Sequence, residues 1–545
     1  MKFTYQRLLF IPLLIGILIA IAVSCSSHRH PDKKIFRYNE QTGIASLDPA
    51  FAKNQSVMWT IHQVYNTLIE VDANMKLKGS LAKSWELSPD NLLFTFHLRR
   101  DVYFHDDAAF ANGKGRMLNA RDVAYSFSRI IDKEVASPGA WIFNNRVDTA
   151  GGFVAVDDST FQLKLLRPFQ PILGILSMQY CSIVPKEAIV KYGNNFRSHP
   201  VGTGPFQMVA WEEGQALLLK RNSRYFEKDS SGHSLPYLDG IKVSFFDSKA
   251  TEFLEFQQHR LDFINDIDAS FKDEILTKTG QLKKKWEGKL LLHKHNYLNI
   301  EYFGILADPE NEAVKNSPLR LKKIRQAINY GFNRKKMMLY LRNSIGTPAN
   351  SGFVPAGLPS FDTALVKGFH YDPEKAKSLL AEVGFPGGKN LPAIKLLTIP
   401  VYADLASYIA NELNLVGIHV KVEAIQKSLL LEQTSKSQAL FFRGSWIADY
   451  PDAENYLSVF YGKNPAPPNY TRYENDQYDA LYEQAISEKN DTIRYGLYQQ
   501  MDRLIIEDAP VVPLWYDMAI HLVHNNISNF YPNGLNLLEL RRVSK

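Results

Sequence analysis

The chain of 545 residues contains little cysteine and little net charge. Its two cysteines are Cys25 and Cys181, so a chain of this length must be stabilised mainly by its apolar core. The net charge is only +6, from 63 basic and 57 acidic residues, and no long basic run occurs. This balance argues against nucleic acid as a partner.

Motifs of common catalytic sites are also missing from the sequence. There is no H-E-x-x-H, no P-loop ending in G-K-[ST] and no G-x-S-x-G. The 14 histidines are scattered, and the pair His293 and His295 alternates along a predicted strand, where we expect solvated side chains rather than metal ligands. The sequence therefore predicts no enzyme active site, no metal site and no cofactor.

The first 25 residues differ in composition from the rest. Lys2 and Arg7 form a basic start, and a charge-free run, Leu8 to Val23, follows. At about 16 residues this run is shorter than the roughly 20 needed to cross a bilayer, which favours an export signal. We predict a signal peptide over residues 1–24.

The residues Ala22-Val23-Ser24-Cys25 resemble the bacterial lipobox, with alanine where leucine is usual. The resemblance implies that Cys25 is lipidated, in which case Cys181 has no partner for an internal disulfide. Residues 25–34 are then a polar, lipidated tether. A simple signal peptide and an uncleaved anchor are the alternatives.

Beyond the tether, strand and helix patterns alternate. Ile35 to Tyr38 predicts a strand, and Leu93 to Arg99 alternates apolar and polar residues as a half-buried strand does. Asn119 is a predicted cap for a helix that reaches Ile130. This alternation indicates mixed α/β sheets, and the length favours about three domains.

The stretch from Ala439 to Asn455 brings unlike functional groups close together. Ala439 to Phe442 predicts a buried strand, and the residues after it predict a loop. In that loop Arg443, Trp446 and Asp449 follow at three-residue steps. A carboxylate beside a tryptophan face suits a ligand ammonium group. The alternative is that Trp446 belongs to the core and Asp449 caps a turn.

Ten short motifs, spread along nearly the whole mature chain, resemble the signature of the family 5 extracellular solute-binding proteins. These are the oligopeptide- and dipeptide-type receptors of ABC importers. The motifs, in order, are Ser46-Leu47-Asp48-Pro49, Leu81-Ala82-x-Ser84-Trp85, Phe94-Thr95-Phe96-x-Leu98-Arg99, Phe104-His105-Asp106, Ala120-x-Asp122-Val123, Pro200-Val201-Gly202-Thr203-Gly204-Pro205-Phe206, Arg221-Asn222-x-x-Tyr225, Ile324-Arg325-Gln326-Ala327-Ile328-Asn329, Tyr371-Asp372-Pro373-Glu374-Lys375-Ala376 and Trp446-x-x-Asp449-Tyr450.

The resemblance implies a hinged two-lobe periplasmic-binding-protein fold, type II-like, with an extra satellite domain and mixed α/β sheets. Lobe one is expected to combine residues 35–62, 200–289 and 517–545. The satellite domain is expected over residues 63–199, and lobe two over residues 290–516.

The resemblance also implies which residues bind a ligand. Peptide receptors of this family hold the α-ammonium group with the aspartate after Trp-x-x, which here is Asp449. A tyrosine often follows Ala-Ser-Pro in the satellite domain, but this chain has Gly139 there, and Trp141 is the expected substitute. The predicted ligand-binding residues are Asp449, Trp446, Arg443, Ser445, Ile447, Asn54, Gln55 and Trp141.

Together these features predict a monomeric lipoprotein of the bacterial cell envelope that faces the periplasm or the exterior. It would capture short peptides and deliver them to the permease subunits of an ABC transporter. A receptor of the same fold for an oligosaccharide, a nickel chelate or haem is the alternative, and a non-transport surface lipoprotein is a further one. A secreted enzyme would need a nucleophile or metal site that the sequence does not offer.

Overall fold

A computed structural model describes residues 33–148 and 151–545. The predicted signal peptide, Cys25 and most of the predicted tether lie outside the described residues. Seventeen strands are found in the described part of the chain. They are β1 (Ile35–Asn39), β2 (Ile69–Val71), β3 (Leu77–Gly79), β4 (Ala82–Leu87), β5 (Leu93–Leu98), β6 (Phe153–Ala155), β7 (Thr160–Lys164), β8 (Phe206–Glu212), β9 (Ala216–Arg221), β10 (Gly240–Ser244), β11 (Phe263–Asn265), β12 (Leu290–Ile305), β13 (Thr347–Pro348), β14 (Ile394–Thr398), β15 (Val420–Ala424), β16 (Phe441–Ile447) and β17 (Val511–His524).

The α-helices of the described residues lie mainly in the second half of the chain. They are α1 (Gln55–Val64), α2 (Ala120–Ile131), α3 (Ile172–Ile175), α4 (Lys186–Tyr192), α5 (Lys249–Gln257), α6 (Ala269–Ile275), α7 (Glu312–Lys315), α8 (Lys322–Tyr330), α9 (Arg334–Leu341), α10 (Pro373–Glu382), α11 (Ala403–Leu415), α12 (Lys427–Ser435), α13 (Glu454–Leu457), α14 (Asp476–Ser487) and α15 (Asp491–Asp508). Across the described part of the chain, no helix combines the length and apolar character needed to cross a membrane.

Helix α2 shows how local sequence sets these elements. Asn119 caps it as predicted, and a reciprocal bond between its backbone N–H and the Asp122 side chain completes a capping box. Val123, Phe127 and Ile130 recur at helical spacing and are buried. Their apolar face covers the sheet of order β4-β5-β7-β6.

The largest sheet has seven strands in the order β11-β17-β12-β16-β14-β15, with β13 also paired to β17. Strands β12 and β17 are long and antiparallel to each other. At one end of this pair β17 lies beside β11, and at the other end β12 lies beside β16. The register between β12 and β17 shifts between Asn296 and Ile300. A smaller sheet of order β1-β10-β9-β8 and the pair β2-β3 complete the fold. The alternation of strands and helices confirms the predicted mixed α/β sheets.

Strand β16 extends further than the sequence predicts. The predicted loop after Phe442 is wrong, because Arg443 to Ile447 continue the strand and pair with β12 in an antiparallel register. The polar Arg443 is accommodated inside the sheet because Glu301 of β12 neutralises it. The loop therefore begins only at Ala448, whose N–H donates to the Leu298 carbonyl at 2.8 Å.

His293 and His295 are not the solvated pair that their alternation predicts. Both are half-buried on β12, where the rings of His295 and His521 stack with their centroids 5.1 Å apart. Burial lowers the pKa of His295 to about 4 and that of His521 to about 3. Neutral imidazole rings of β12 and β17 thus pack against each other.

These histidines should make the protein less stable in acid. The folded-state pKa of His295 lies below its ordinary value of 6.5, so the unfolded chain binds the proton more tightly. Stability is retained above about pH 6.5 and is lost as the pH falls towards 4. The free energy of unfolding of the wild type should therefore fall between pH 7 and pH 4.5. We expect this fall to be about 2–3 kcal/mol smaller in His295→Gln, measured by urea unfolding.

The matched control for this measurement is His419→Gln, which alters an exposed histidine. It should leave the difference in unfolding free energy between the two pH values unchanged. Equal acid sensitivity of His295→Gln and the wild type would show that His295 titrates normally.

Candidate functional site

Asp449 lies where the chain leaves the seven-stranded sheet. The buried Asn455 of α13 organises this turn, since its Oδ1 accepts hydrogen bonds from Trp446 Nε1 at 3.0 Å and from the Asp449 N–H at 3.4 Å. One amide oxygen therefore fixes both the tryptophan ring and the start of the loop. The sequence analysis did not predict a role for Asn455, although it ends the stretch from Ala439 in which the other groups were found.

The carboxylate of Asp449 has no cationic partner among the described residues. Its side chain is exposed to water, yet it lies in a cleft with protein on several sides. The reduced hydration there raises the pKa of its carboxyl group, and a hydrogen bond with Asn455 partly opposes this rise. The site therefore presents an uncompensated negative charge.

Asp449 lines two cavities at once. The first, which we call the aromatic cavity, has a volume of about 680 Å³. Trp446 and the half-exposed Trp141 both line it. Its other aromatic side chains are Phe169, Tyr450, Tyr461 and Tyr482.

The aromatic cavity also contains charged groups, most of which have partners. Lys463 pairs with Glu483, and Arg146 donates to the Trp141 carbonyl at 2.6 Å. Glu454 is buried and accepts hydrogen bonds from the hydroxyls of Tyr450 and Tyr482, which satisfy it inside the protein. Among the described residues, Arg167 is exposed and makes no ion pair.

The second cavity, which we call the Tyr297 cavity, has a volume of about 280 Å³. It brings Asp449 and Ile447 together with Gln55, three residues that the sequence predicts to bind ligand. Lys53 also lines it. Residues of the first helix thus face the loop after β16 across this space.

Asn54 lies beside this arrangement but lines neither cavity that contains Asp449. It borders a cavity of about 850 Å³ next to Tyr125 and, with Gln55, a further one of about 300 Å³. Asn54 and Gln55 thus share one cavity, but only Gln55 also lines the Tyr297 cavity.

Arg443 and Ser445 are placed differently from the other predicted residues. The Arg443 guanidinium forms a bidentate ion pair with Glu301, with Nη2 2.7 Å from Oε1 and Nε 3.0 Å from Oε2, and it stacks over Tyr402 at 4.3 Å. The two side chains are 12% and 3% exposed. Ser445 is opposite Glu301 in the register of the sheet. The charge of Arg443 is thus compensated within the protein.

A separate cavity of about 260 Å³ near the C-terminus is also polar. Its buried cation, Arg541, is compensated, because it bonds to Glu70, Glu227 and Glu539 at distances of 2.7–3.1 Å. This cavity is enclosed by a structural ion-pair network. The cavities around Asp449 are the better candidates, because their central charge has no such partner.

Within the described residues, no three or more His, Cys, Asp or Glu side chains are grouped so as to hold a metal ion. A family model described as "Bacterial extracellular solute-binding proteins, family 5 Middle" matches residues 76–468. The chain belongs to this family. The family 5 resemblance of its ten motifs is therefore confirmed.

Curated relatives cover most of this family 5 chain. Heme-binding protein A of Haemophilus influenzae is 28% identical over 477 residues, which span 84% of this chain and 82% of the relative. The glutathione-binding protein GsiB of Escherichia coli O1:K1 is 26% identical over 505 residues, or 90% of each chain.

Solved structures confirm the predicted fold. The periplasmic binding protein DppA of Helicobacter pylori, in complex with the peptide STSA, matches with a TM-score of 0.72 and 23% identity over 94% of this chain and 98% of DppA. Its likeness shows the fold of this family 5 protein, a two-lobe α/β periplasmic-binding-protein fold.

Proposed function

We propose that this protein captures short peptides outside the cytoplasm and delivers them to the permease subunits of an ABC transporter. The observation that carries the proposal is the Asp449 carboxylate, which has no counter-charge among the described residues and lines two cavities beside Trp446. A ligand enclosed there must supply a cation. The α-ammonium group of a peptide is such a cation.

Physical chemistry supports this assignment. Taking an ammonium group out of water costs several kcal/mol unless a fixed counter-charge meets it. Asp449 supplies the charge, and the neighbouring Trp446 ring adds a surface that attracts cations. Main-chain groups of Ser445 and Ile447, with Gln55 and Asn54 opposite, are proposed to bind the peptide backbone, which would make recognition insensitive to side-chain identity.

We further propose that Cys25 anchors the protein, as a monomer, to a bacterial membrane. The charge-free run before Cys25 and the lipobox resemblance support this. The domain boundaries remain proposals as well. Support for a hinge along β12 and β17 comes from their pairing with β11 over one half and with β16 over the other.

A heme receptor is the second candidate. It is favoured by the volume and the aromatic lining of the aromatic cavity, together with the cations Arg146 and Arg167, which make no ion pair among the described residues and are proposed to meet ligand carboxylates. One relative of this chain is named for heme binding, which also favours this candidate.

Mass spectrometry of protein purified from membranes, with its ligand, tests these proposals. We expect released peptides of mixed sequence and narrow length, and an N-terminal fragment in which Cys25 carries lipid. Visible absorption by a bound porphyrin would favour the heme receptor instead. An unmodified Cys25 within an intact N-terminus would contradict the lipid anchor.

A further inference from the structure

The Tyr297 cavity has an unusual set of ionisable groups. Its lining contains one cation, Lys53, and one carboxylate, Asp449, together with the phenol of Tyr297. The remaining polar lining is supplied mainly by amide side chains such as Gln55 and Gln179. The cavity is therefore equipped for one positive and one negative charge on its ligand.

Neither charge is used by the protein itself. Lys53 is exposed, and among the described residues its ammonium group makes no ion pair or hydrogen bond; the same part of the chain offers Asp449 no cation. In the polar cavity near the C-terminus, by contrast, Arg541 pairs with Glu70 and Glu539. Both charges are therefore open to a ligand that enters the cavity.

The two charges belong to different parts of the fold. Lys53 precedes α1, whereas Asp449 follows β16 in the seven-stranded sheet. A volume of about 280 Å³ lies just below the range for ligand pockets, about 300–1,000 Å³. The space thus suits a small ligand that bridges the two walls.

We propose that Lys53 binds the carboxylate of the ligand, so that the preferred ligands are compact zwitterions of the size of a dipeptide. The ammonium group lies at Asp449, the C-terminal carboxylate lies at Lys53, and the first side chain extends into the aromatic cavity, which Asp449 also lines. A lysine suits this role because its flexible point charge follows small differences in ligand length. This inference rests on the proposed peptide-binding function.

Arg167 is the competing carboxylate partner. It lines the aromatic cavity and makes no ion pair among the described residues, whereas Lys463 is paired with Glu483. A ligand running from Asp449 towards Arg167 would place its carboxylate in the aromatic cavity and leave Lys53 without a role. In the first orientation, substitution of Lys53 should weaken binding of the ligand carboxylate. In the second, substitution of Arg167 should do so.

Isothermal titration calorimetry with Ala-Phe and its C-terminal amide tests the direction. The wild type should bind the free acid at least tenfold more tightly than the amide. Lys53→Met should weaken acid binding at least tenfold and amide binding less than twofold, so that the two ligands become equivalent. Arg167→Met should preserve the ratio of acid to amide affinity.

A control variant and a control ligand accompany this titration. Lys83→Met removes an exposed lysine of β4 that lines neither cavity, and it should behave as the wild type does. N-acetyl-Ala-Phe should bind Lys53→Met more weakly than Ala-Phe does, which would show that the Asp449 end of the site is intact.

The inference about Lys53 fails if Lys53→Met keeps the preference for the acid, if Arg167→Met removes that preference, or if Lys53→Met binds both ligands more tightly. The last result would mean that Lys53 pairs with Asp449 and competes with the ligand. A wild type that binds no peptide at all would overturn the proposed function, and this inference with it.

Discussion

Replacing Asp449 with asparagine should weaken the binding of short peptides by about 3–5 kcal/mol and leave the fold intact. Asparagine keeps the shape of the side chain but removes the charge that meets the ligand ammonium group. Breaking one side of a buried ion pair has a cost of this size. Calorimetric titration gives the affinity, and urea unfolding checks the fold.

An N-acetylated peptide is the mirror of this variant, because it lacks the ammonium charge while the protein is unchanged. It should bind the wild type poorly and lose little further affinity on Asp449→Asn. The matched control is Asp158→Asn, which removes an exposed carboxylate that pairs with Arg121 at 2.9 Å and lines neither cavity. Similar binding of free and acetylated peptides by the wild type and Asp449→Asn would reduce Asp449 to a turn residue.

The central part of this site could be predicted from sequence because its members lie close together in the chain. Trp446 and Asp449 are three residues apart, and Asn455 bonds to both from six residues beyond Asp449. Trp141 is distant in sequence, and it was found because a family motif points to its position. In both cases a short sequence pattern was sufficient to predict the position of the residue.

The partner of Arg443 could not be predicted in this way. Glu301 lies 142 residues earlier, and only the register between β12 and β16 brings it to Arg443. The same pairing explains why the predicted end of the strand was wrong, since an arginine after a buried run indicates a loop unless a buried carboxylate meets it. Strand register between distant segments is set by packing of the whole sheet, which a local pattern does not contain.

Lys53 illustrates a related limit. The sequence analysis selected its neighbours Asn54 and Gln55 as ligand residues, but only Gln55 shares a cavity with Asp449. Which of three consecutive side chains turns towards the cleft depends on where α1 begins, and Asn54 precedes the helix without a side-chain capping bond that would mark its start in the sequence. The segment could be predicted, whereas the side chain could not.

Substitution of Glu301 by glutamine should destabilise the protein by about 3–5 kcal/mol, because it leaves the Arg443 guanidinium buried without a counter-charge. Burial raises the pKa of the Glu301 carboxyl group, and the Arg443 guanidinium opposes this rise by favouring the ionised carboxylate. Urea unfolding at neutral pH measures the loss. A change below about 1 kcal/mol would mean that water or rearrangement satisfies Arg443.

The double variant Glu301→Gln with Arg443→Met separates stability from binding. Removing both charges should restore most of the lost stability, since an apolar replacement of a buried pair is often nearly neutral. We expect the folded double variant to bind peptides within about 1 kcal/mol of the wild type, because Glu301 already neutralises Arg443. If affinity instead falls as far as in Asp449→Asn while stability recovers, Arg443 must leave Glu301 and face the ligand, as the family resemblance implies.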